Sequence, residues 1–297
     1  MHRDEVAVDA GLVTRLLESQ LPHLAGAPLA VVEPWGTDHA IWRVGADLVV
    51  RLPRIGWAAG QAAKEATWLP RLAPHLPVEV PEPVALGEPG CGYPYQWAVH
   101  RWIPGEGAAL DRVSDPVQLA RDLAEVVRAL RTVPTAGAPP ARNRARPLAD
   151  YDVSTREAVE RCRPWIDVDA ALAVWEDALA APAHVGPPTW VQGDLEGNCL
   201  VRDERLCAVV DWGSACQGDP AVDVQVAWSP LFTDRSRRAF LDAVEVDDAT
   251  IRRARGAAVN QACAALPYYQ HTYPLIVARS RHKLSALGIA VDDAGPS

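Results

Sequence analysis

The chain carries Gln192-Gly193-Asp194-Leu195-Glu196-Gly197-Asn198 and, directly after the apolar run Cys207-Ala208-Val209-Val210, Asp211-Trp212-Gly213. Short apolar runs at 190–192, 199–201 and 206–210 flank these polar groups and predict strands, so Asp194 and Asp211 fall at strand ends. Carboxylates at the exits of buried strands open onto the mouth of a cleft, where hard oxygen ligands can hold Mg²⁺ against a polyphosphate. Phosphoryl transfer asks for a carboxylate at the acceptor hydroxyl, an Asn and an Asp on the metal ions, and a cation on the phosphates. All four residue types are present.

On either side the pattern changes character. The segment before this region reads as helical at 116–130, 154–162 and 168–179, and the segment after it at 221–228, 235–244 and from 251 toward 287. The first hundred residues differ. A helix capped by Asp9 runs through Leu12, Val13, Leu16, Leu17 and Leu21, then β-like runs at 29–32, 40–44 and 48–52 are separated by the turn-forming Gly36-Thr37-Asp38 and Gly45-Ala46-Asp47. That pattern predicts an antiparallel meander, followed by a helix over 60–72 and two more strands at 84–87 and 96–102. Pro104-Gly105-Glu106-Gly107 opposes continuation of either regular element and marks a boundary. The expected fold is α+β with two domains: residues 1–103 with a sheet and helices, and a larger, mainly helical 104–297. A Pro/Ala/Arg stretch at 135–147 reads as a mobile linker, and 292–297 as a polar tail.

Composition narrows the class. The chain has 297 residues, 49% hydrophobic and 23% charged, a globular balance, and no apolar run approaches the ~18 residues that span a bilayer. A net charge of −9 disfavours a nucleic-acid partner held by its phosphates. The N-terminal Met1-His2-Arg3-Asp4-Glu5 lacks the order of a secretory signal, and six scattered cysteines form no zinc-ligand spacing, so reduced thiols in a cytoplasmic protein are expected. Of the 29 Lys and Arg residues only Lys64 and Lys283 are lysines.

The chain resembles the aminoglycoside phosphotransferase family, bacterial relatives of protein kinases. The resemblance rests on 192–198 against the family's His-Gly-Asp loop ending in Asn, on Asp211-Trp212-Gly213 against its metal-binding Asp-x-Gly, and on Gly218-Asp219-Pro220-Ala221-Val222-Asp223 beyond. It extends to Leu48-Val49-Val50-Arg51-Leu52-Pro53-Arg54 and Lys64-Glu65. It implies a bilobal protein-kinase-like fold with ATP or GTP between the lobes, Mg²⁺, and transfer of the γ-phosphoryl group to a hydroxyl of a small polar acceptor. An aminoglycoside-type antibiotic is the first expectation; macrolides, choline, homoserine and sugar amines are served by the same scaffold. Position by position, it implies Asp194 as catalytic base, Asn198 and Asp211 as metal ligands, and Glu65 as helix partner of the phosphate-binding cation. Residues 36–40, with Gly36, Thr37 and Asp38, would form the flap over the phosphates, and 98–102, with Val99 and Arg101, the hinge against the base.

Three departures shape those expectations. Gln192 replaces the loop His, and Asp194 and Asn198 are four apart where the kinase pattern H-R-D-x-x-x-x-N spaces them by five. Gly193 and Gly197 can absorb the shortening, with Glu196 as a spare oxygen ligand. The strand has no Lys, so Arg51, with Arg54 as the alternative, takes the phosphate-binding role. These departures leave a non-catalytic nucleotide-binding pseudokinase as the rival reading. For acceptor recognition the candidates are Tyr268, Tyr269, His271 and Tyr273, or the acids Asp150, Asp152, Glu157 and Glu160, which a solvated helix face explains equally well. Asp219 and Asp223 read as structural, Asp219 as a helix cap bracing the loop.

Overall fold

A computed structural model describes residues 4–33 and 36–292. The opening Met1-His2-Arg3, Trp35 beside the expected flap, and 293–297 of the expected tail lie outside the described residues. The chain divides into two compact units, Met1–Gly105 with Ala208–Gly213, and Glu106–Cys207 with Ser214–Ser297.

In the first unit, helix α1 (Ala10–Gln20) begins where the Asp9 carboxylate accepts the Leu12 N–H at 2.7 Å. Strands β1 (Leu29–Val31), β2 (His39–Val44) and β3 (Leu48–Pro53) form the expected antiparallel meander. Helix α2 (Gln61–Leu72) follows, then β4 (Pro83–Gly87) and β5 (Trp97–Arg101), which complete a five-stranded sheet ordered β1-β2-β3-β5-β4. Period-two alternation gives the sheet an apolar face, and Val44, Val50, Leu52, Trp97 and Val99 pack there against Leu12, Val13, Leu16 and Leu17 of α1. Arg51, between Val50 and Leu52 on the central strand, therefore faces the other way.

The second unit is mainly helical. It contains the short strand β6 (Glu106–Gly107), helices α3 (Pro116–Thr132), α4 (Asp152–Arg161) and α5 (Val168–Ala180), and strands β7 (Thr189–Val191), β8 (Cys199–Arg202) and β9 (Arg205–Val209), whose last two residues group with the first unit. Strand β10 (Cys216–Gly218) pairs antiparallel with β7, and β6 pairs with β8. Helices α6 (Ala221–Val224), α7 (Asp234–Ala243), α8 (Asp248–Tyr269) and α9 (Pro274–Ala286) complete it. The single helical stretch expected from 251 onward is thus two. Pro274 opens α9, and the residue before a proline is pushed out of the helical region; Tyr273 lies at φ −147°, ψ 86°.

The stretch 135–147 is not a free linker. Gln217 donates its backbone N–H to Pro139 O at 2.9 Å and its side-chain amide to Ala138 O at 2.8 Å, and Asp219 N–H bonds Ala145 O at 3.0 Å. Ala145 packs with Val191 and Cys216. Backbone bonds to a strand edge, which leave no composition signature, hold this segment in place. No helix among the described residues is long and apolar enough to cross a membrane.

Candidate active site

In the first unit, Arg51 lies between two carboxylates. Its Nη1 donates to Glu65 Oε1 and Oε2, each at 2.6 Å, and its Nη2 meets Asp211 Oδ1 at 2.8 Å. Glu65 enters from α2 and also accepts the Trp212 backbone N–H at 2.8 Å, tying the helix to the Asp-Trp-Gly turn. Asp211 adopts a left-handed backbone, φ 54°. At Gly213 a Cβ would fall 1.9 Å from Gln61 Oε1, so any larger residue there would have to push the Gln61 side chain aside. Burial works against ionisation of Asp211, yet the Arg51 charge, the nearby His39 and the hydrogen bonds from Arg51 and the Gly213 backbone together outweigh it and hold the carboxyl down to about 2.

Two buried histidines flank this group. Burial, reinforced by the Arg51 charge, pushes His39 on β2 down to about 4 and His100 on β5 down to about 3, so both are neutral near pH 7. Arg54, the alternative phosphate contact, is engaged by Glu5. Thr37 Oγ1 donates to Asp38 Oδ1 at 2.9 Å, and the Asp38 carbonyl accepts the Arg54 N–H at 2.7 Å, which anchors the stretch after Gly36 to the end of β3. Of the hinge residues, Val99 is fully buried in the α1-facing core and presents no side chain to a ligand, whereas Arg101 is exposed at the strand end.

In the second unit, the loop after β7 is held from beneath by Asp223. Its carboxylate accepts the Gln192 N–H at 2.8 Å and the Gly193 N–H at 2.7 Å. Asp223, rather than Asp219, is the brace of this loop. Burial pushes its carboxyl up to about 6, against the two backbone bonds that favour the ionised form. Gly193 and Gly197 have φ 86° and 87°, the conformations that accommodate the shorter loop. Gln192 Oε1 accepts the Asp194 N–H at 2.6 Å, so the residue in place of His performs a supporting bond that needs no protonation. Asn198 Nδ2 donates to the Asp194 carbonyl at 2.7 Å, which turns its own amide oxygen away from that bond.

The Asp194 carboxylate has a side-chain exposure of 36%, and its Oδ1 accepts from Gln261 Nε2 at 3.0 Å. Arg144 Nη2 lies 3.9 Å from the same oxygen. Lys283, 1% exposed, donates to Gln261 Oε1 and to Gln225 Oε1, the latter at 3.0 Å. Because an ammonium only donates, it fixes the Gln261 amide with its oxygen toward Lys283 and its NH₂ toward Asp194. Lys283 also pairs with Glu196, whose side chain is 8% exposed. Glu196 is therefore committed to an internal ion pair and is not the spare metal ligand that its sequence position suggests.

Beside Asp194 a small recess, open to solvent, is bordered by Arg144, Arg146, Tyr151, Asp219, Asn260 and Gln261 among others. Neither Tyr268, Tyr269, His271 and Tyr273 nor the acids of α4 border it. Tyr268 and Tyr269 stack edge to face at 4.7 Å, and Asp152 and Glu160 pair with Arg156 and Arg163. Arg144, Gln261 and Lys283 are the site residues that sequence reasoning missed. Arg144 was hidden in a stretch that reads as linker, and the other two lie on helices far along the chain.

No cluster of three or more His, Cys, Asp or Glu side chains suited to a metal occurs among the described residues. The donors expected for Mg²⁺ are instead one carboxylate and one amide oxygen. An Asp211 kept ionised and an Asn198 whose NH₂ is already used both fit a hard cation that takes oxygen ligands and keeps several waters.

The sequence matches the model of the phosphotransferase enzyme family over residues 33–257, and the chain belongs to that family. No curated protein matches it in sequence. Among solved structures it is similar to APH(2")-IIia in its complex with GDP and kanamycin, with TM-score 0.73 and 21% identity over 93% of this chain and 98% of that one. It is similar to macrolide 2'-phosphotransferase MphH from Brachybacterium faecium, with TM-score 0.58 and 25% identity over 95% and 98% of the two chains. It is also similar to APH(2")-IIa in a ternary complex with streptomycin and ATP, with TM-score 0.60 and 17% identity over 94% and 99%.

Proposed function

We propose that this protein transfers the γ-phosphoryl group of ATP or GTP to a hydroxyl of a small polar molecule, with Asp194 as the catalytic carboxylate. The observation that carries the reading is the construction around Asp194: a partly exposed carboxylate on a loop strapped by Asp223, with Gln192, Asn198 and Gln261 each bonded to it. Such fixing supplies positioning, the main demand of phosphoryl transfer.

In this reading Asp194 orients the acceptor hydroxyl and receives its proton. The acceptor oxygen bonds to the γ-phosphorus as the bond from that phosphorus to the β–γ bridging oxygen breaks, and the nucleoside diphosphate leaves. Arg51, braced by Glu65, contacts the phosphates with a guanidinium that stays charged at any working pH. Gly36, Thr37 and Asp38 cover the phosphates, and the end of β5 at Arg101 meets the base. Asn198 and Asp211 would hold Mg²⁺, which neutralises charge on the phosphate oxygens. The GDP and ATP named for the neighbours support a nucleotide donor of either kind, and a cytoplasmic location goes with this reading. Kanamycin and streptomycin in those neighbours make an aminoglycoside the first acceptor to test.

Calorimetry of the purified chain with Mg-ATP and Mg-GTP is the direct test. Metal-dependent binding that is lost in Asp211→Ala supports the reading; metal-independent binding would favour a non-catalytic nucleotide binder, and no binding would remove the proposal.

A further inference from the structure

The charges around the pocket beside Asp194 are arranged for an acceptor unlike a polycationic sugar. Asp219, the one acid that borders it among the described residues, already has a cation. Asp219 takes Arg253 Nε at 2.7 Å and Nη2 at 3.2 Å, and its Oδ1 accepts the Ala221 N–H at 3.0 Å as well. Asp150 takes Arg146, whose guanidinium also lies over the Tyr151 ring. Neighbouring elements pair their acids likewise: Asp152 with Arg156 on α4, Asp177 with Arg252 of α8, and Glu196 with Lys283 of α9. Glu157 of α4 is exposed and does not border the pocket. A molecule with several ammonium groups would meet Arg144 and Arg146 and find, as carboxylates within the recess among the described residues, only Asp219, already on Arg253, and Asp194, 3.9 Å from Arg144, too few counter-charges for a polycation.

Arg144 stands out in the opposite sense. It is the one pocket arginine whose guanidinium makes no hydrogen bond among the described residues; its nearest carboxylate is Asp194, at 3.9 Å. A guanidinium offers five donors in a planar fork suited to a carboxylate. Its segment is held by backbone bonds to β10 and to Asp219 just before α6, so the fork is presented from a fixed base.

Resting on the phosphotransferase reading above, we infer that the acceptor is a small hydroxyl compound bearing a carboxylate, with the hydroxyl at Asp194 and the carboxylate on Arg144. The short separation of the two side chains requires the hydroxyl and the carboxylate to lie close together on the acceptor.

The test uses the full chain with Mg-ATP and Mg-GTP, reads nucleoside diphosphate release, and compares glycerate and gluconate with glucose and kanamycin. The hydroxy acids are expected to show kcat/KM at least about 10-fold above kanamycin and glucose. Arg144→Gln should raise the hydroxy-acid KM by about 10–100-fold, the scale of one charged hydrogen-bonded contact, with nucleotide affinity by calorimetry unchanged. Arg144→Lys should restore part of the loss. Preference for kanamycin or glucose, no turnover of either hydroxy acid, or indifference of their KM to Arg144→Gln would each overturn the inference. If such a result accompanies normal Mg-nucleotide binding, the acceptor class alone falls; if nucleotide binding is also absent, the phosphotransferase reading falls with it.

Discussion

Asp194 and Arg51 are each held by side chains that reach them from other elements of the chain. These partners are not equally legible in the sequence. Glu65 and Asp211 belong to its short motifs, but Gln261 and Lys283 reach Asp194 from helices α8 and α9, and nothing in their local sequence announces it. Asp194→Asn keeps the shape and removes the proton acceptor, so kcat should fall by about 10²–10⁴-fold with the melting temperature unchanged, as read by steady-state rates beside thermal melts. Lys283→Met strands the largely buried Glu196 carboxylate and should cost about 3–5 kcal/mol in denaturant unfolding. Adding Glu196→Leu removes the stranded charge and should recover most of that stability. The rate should stay low in the double variant, because Gln261 has lost the donor that sets its amide orientation toward Asp194.

Among the elements, the strands of the first unit were readable because period-two apolar runs and Gly/Asp turns coincide there. The break between α8 and α9 was missed although Pro274 signals it, since the apolar pattern resumes on the far side. Strand β10 and the 135–147 segment were invisible for a related reason: much of what holds them is backbone pairing with each other and with β7, which leaves no periodic apolar pattern. Gly218 reports on that pairing. A Cβ there would lie 2.4 Å from the Ala145 carbonyl oxygen, and backbone cannot move aside as a flexible side chain can. Gly218→Ala should therefore displace the segment carrying Arg144, raising the acceptor KM several-fold while calorimetric nucleotide affinity stays at the wild-type value.

For the molecule as a whole, α+β class and family membership were within reach of one sequence because order and spacing of short motifs survive where identity does not. Acceptor charge was not, for it depends on which acids are already paired. Stability should carry a pH signature from the first unit. His39 and His100 have folded pKa values of about 4 and about 3 against about 6.5 in the unfolded chain, so between those limits the unfolded state binds more protons. The histidines' contribution to stability is then greatest above pH ~6.5 and falls as pH drops toward ~4, by at most about 1.4 kcal/mol per pH unit for each histidine. Neither His100 nitrogen has a hydrogen-bond partner among the described residues, so His100→Leu should flatten this slope in melts at pH ~7.5 and ~5 without removing a bond.

The six residues Ala208–Gly213 group with the first unit although the chain reaches them only after most of the second has been laid down. On the ribosome, the amino-terminal sheet emerges early, yet Arg51 and Glu65 wait for Asp211 and the Trp212 N–H until translation has passed that turn. An mRNA truncated after Gly105 would thus encode a sheet whose most buried cation lacks one of its two counterions, and whose Glu65 lacks its backbone donor.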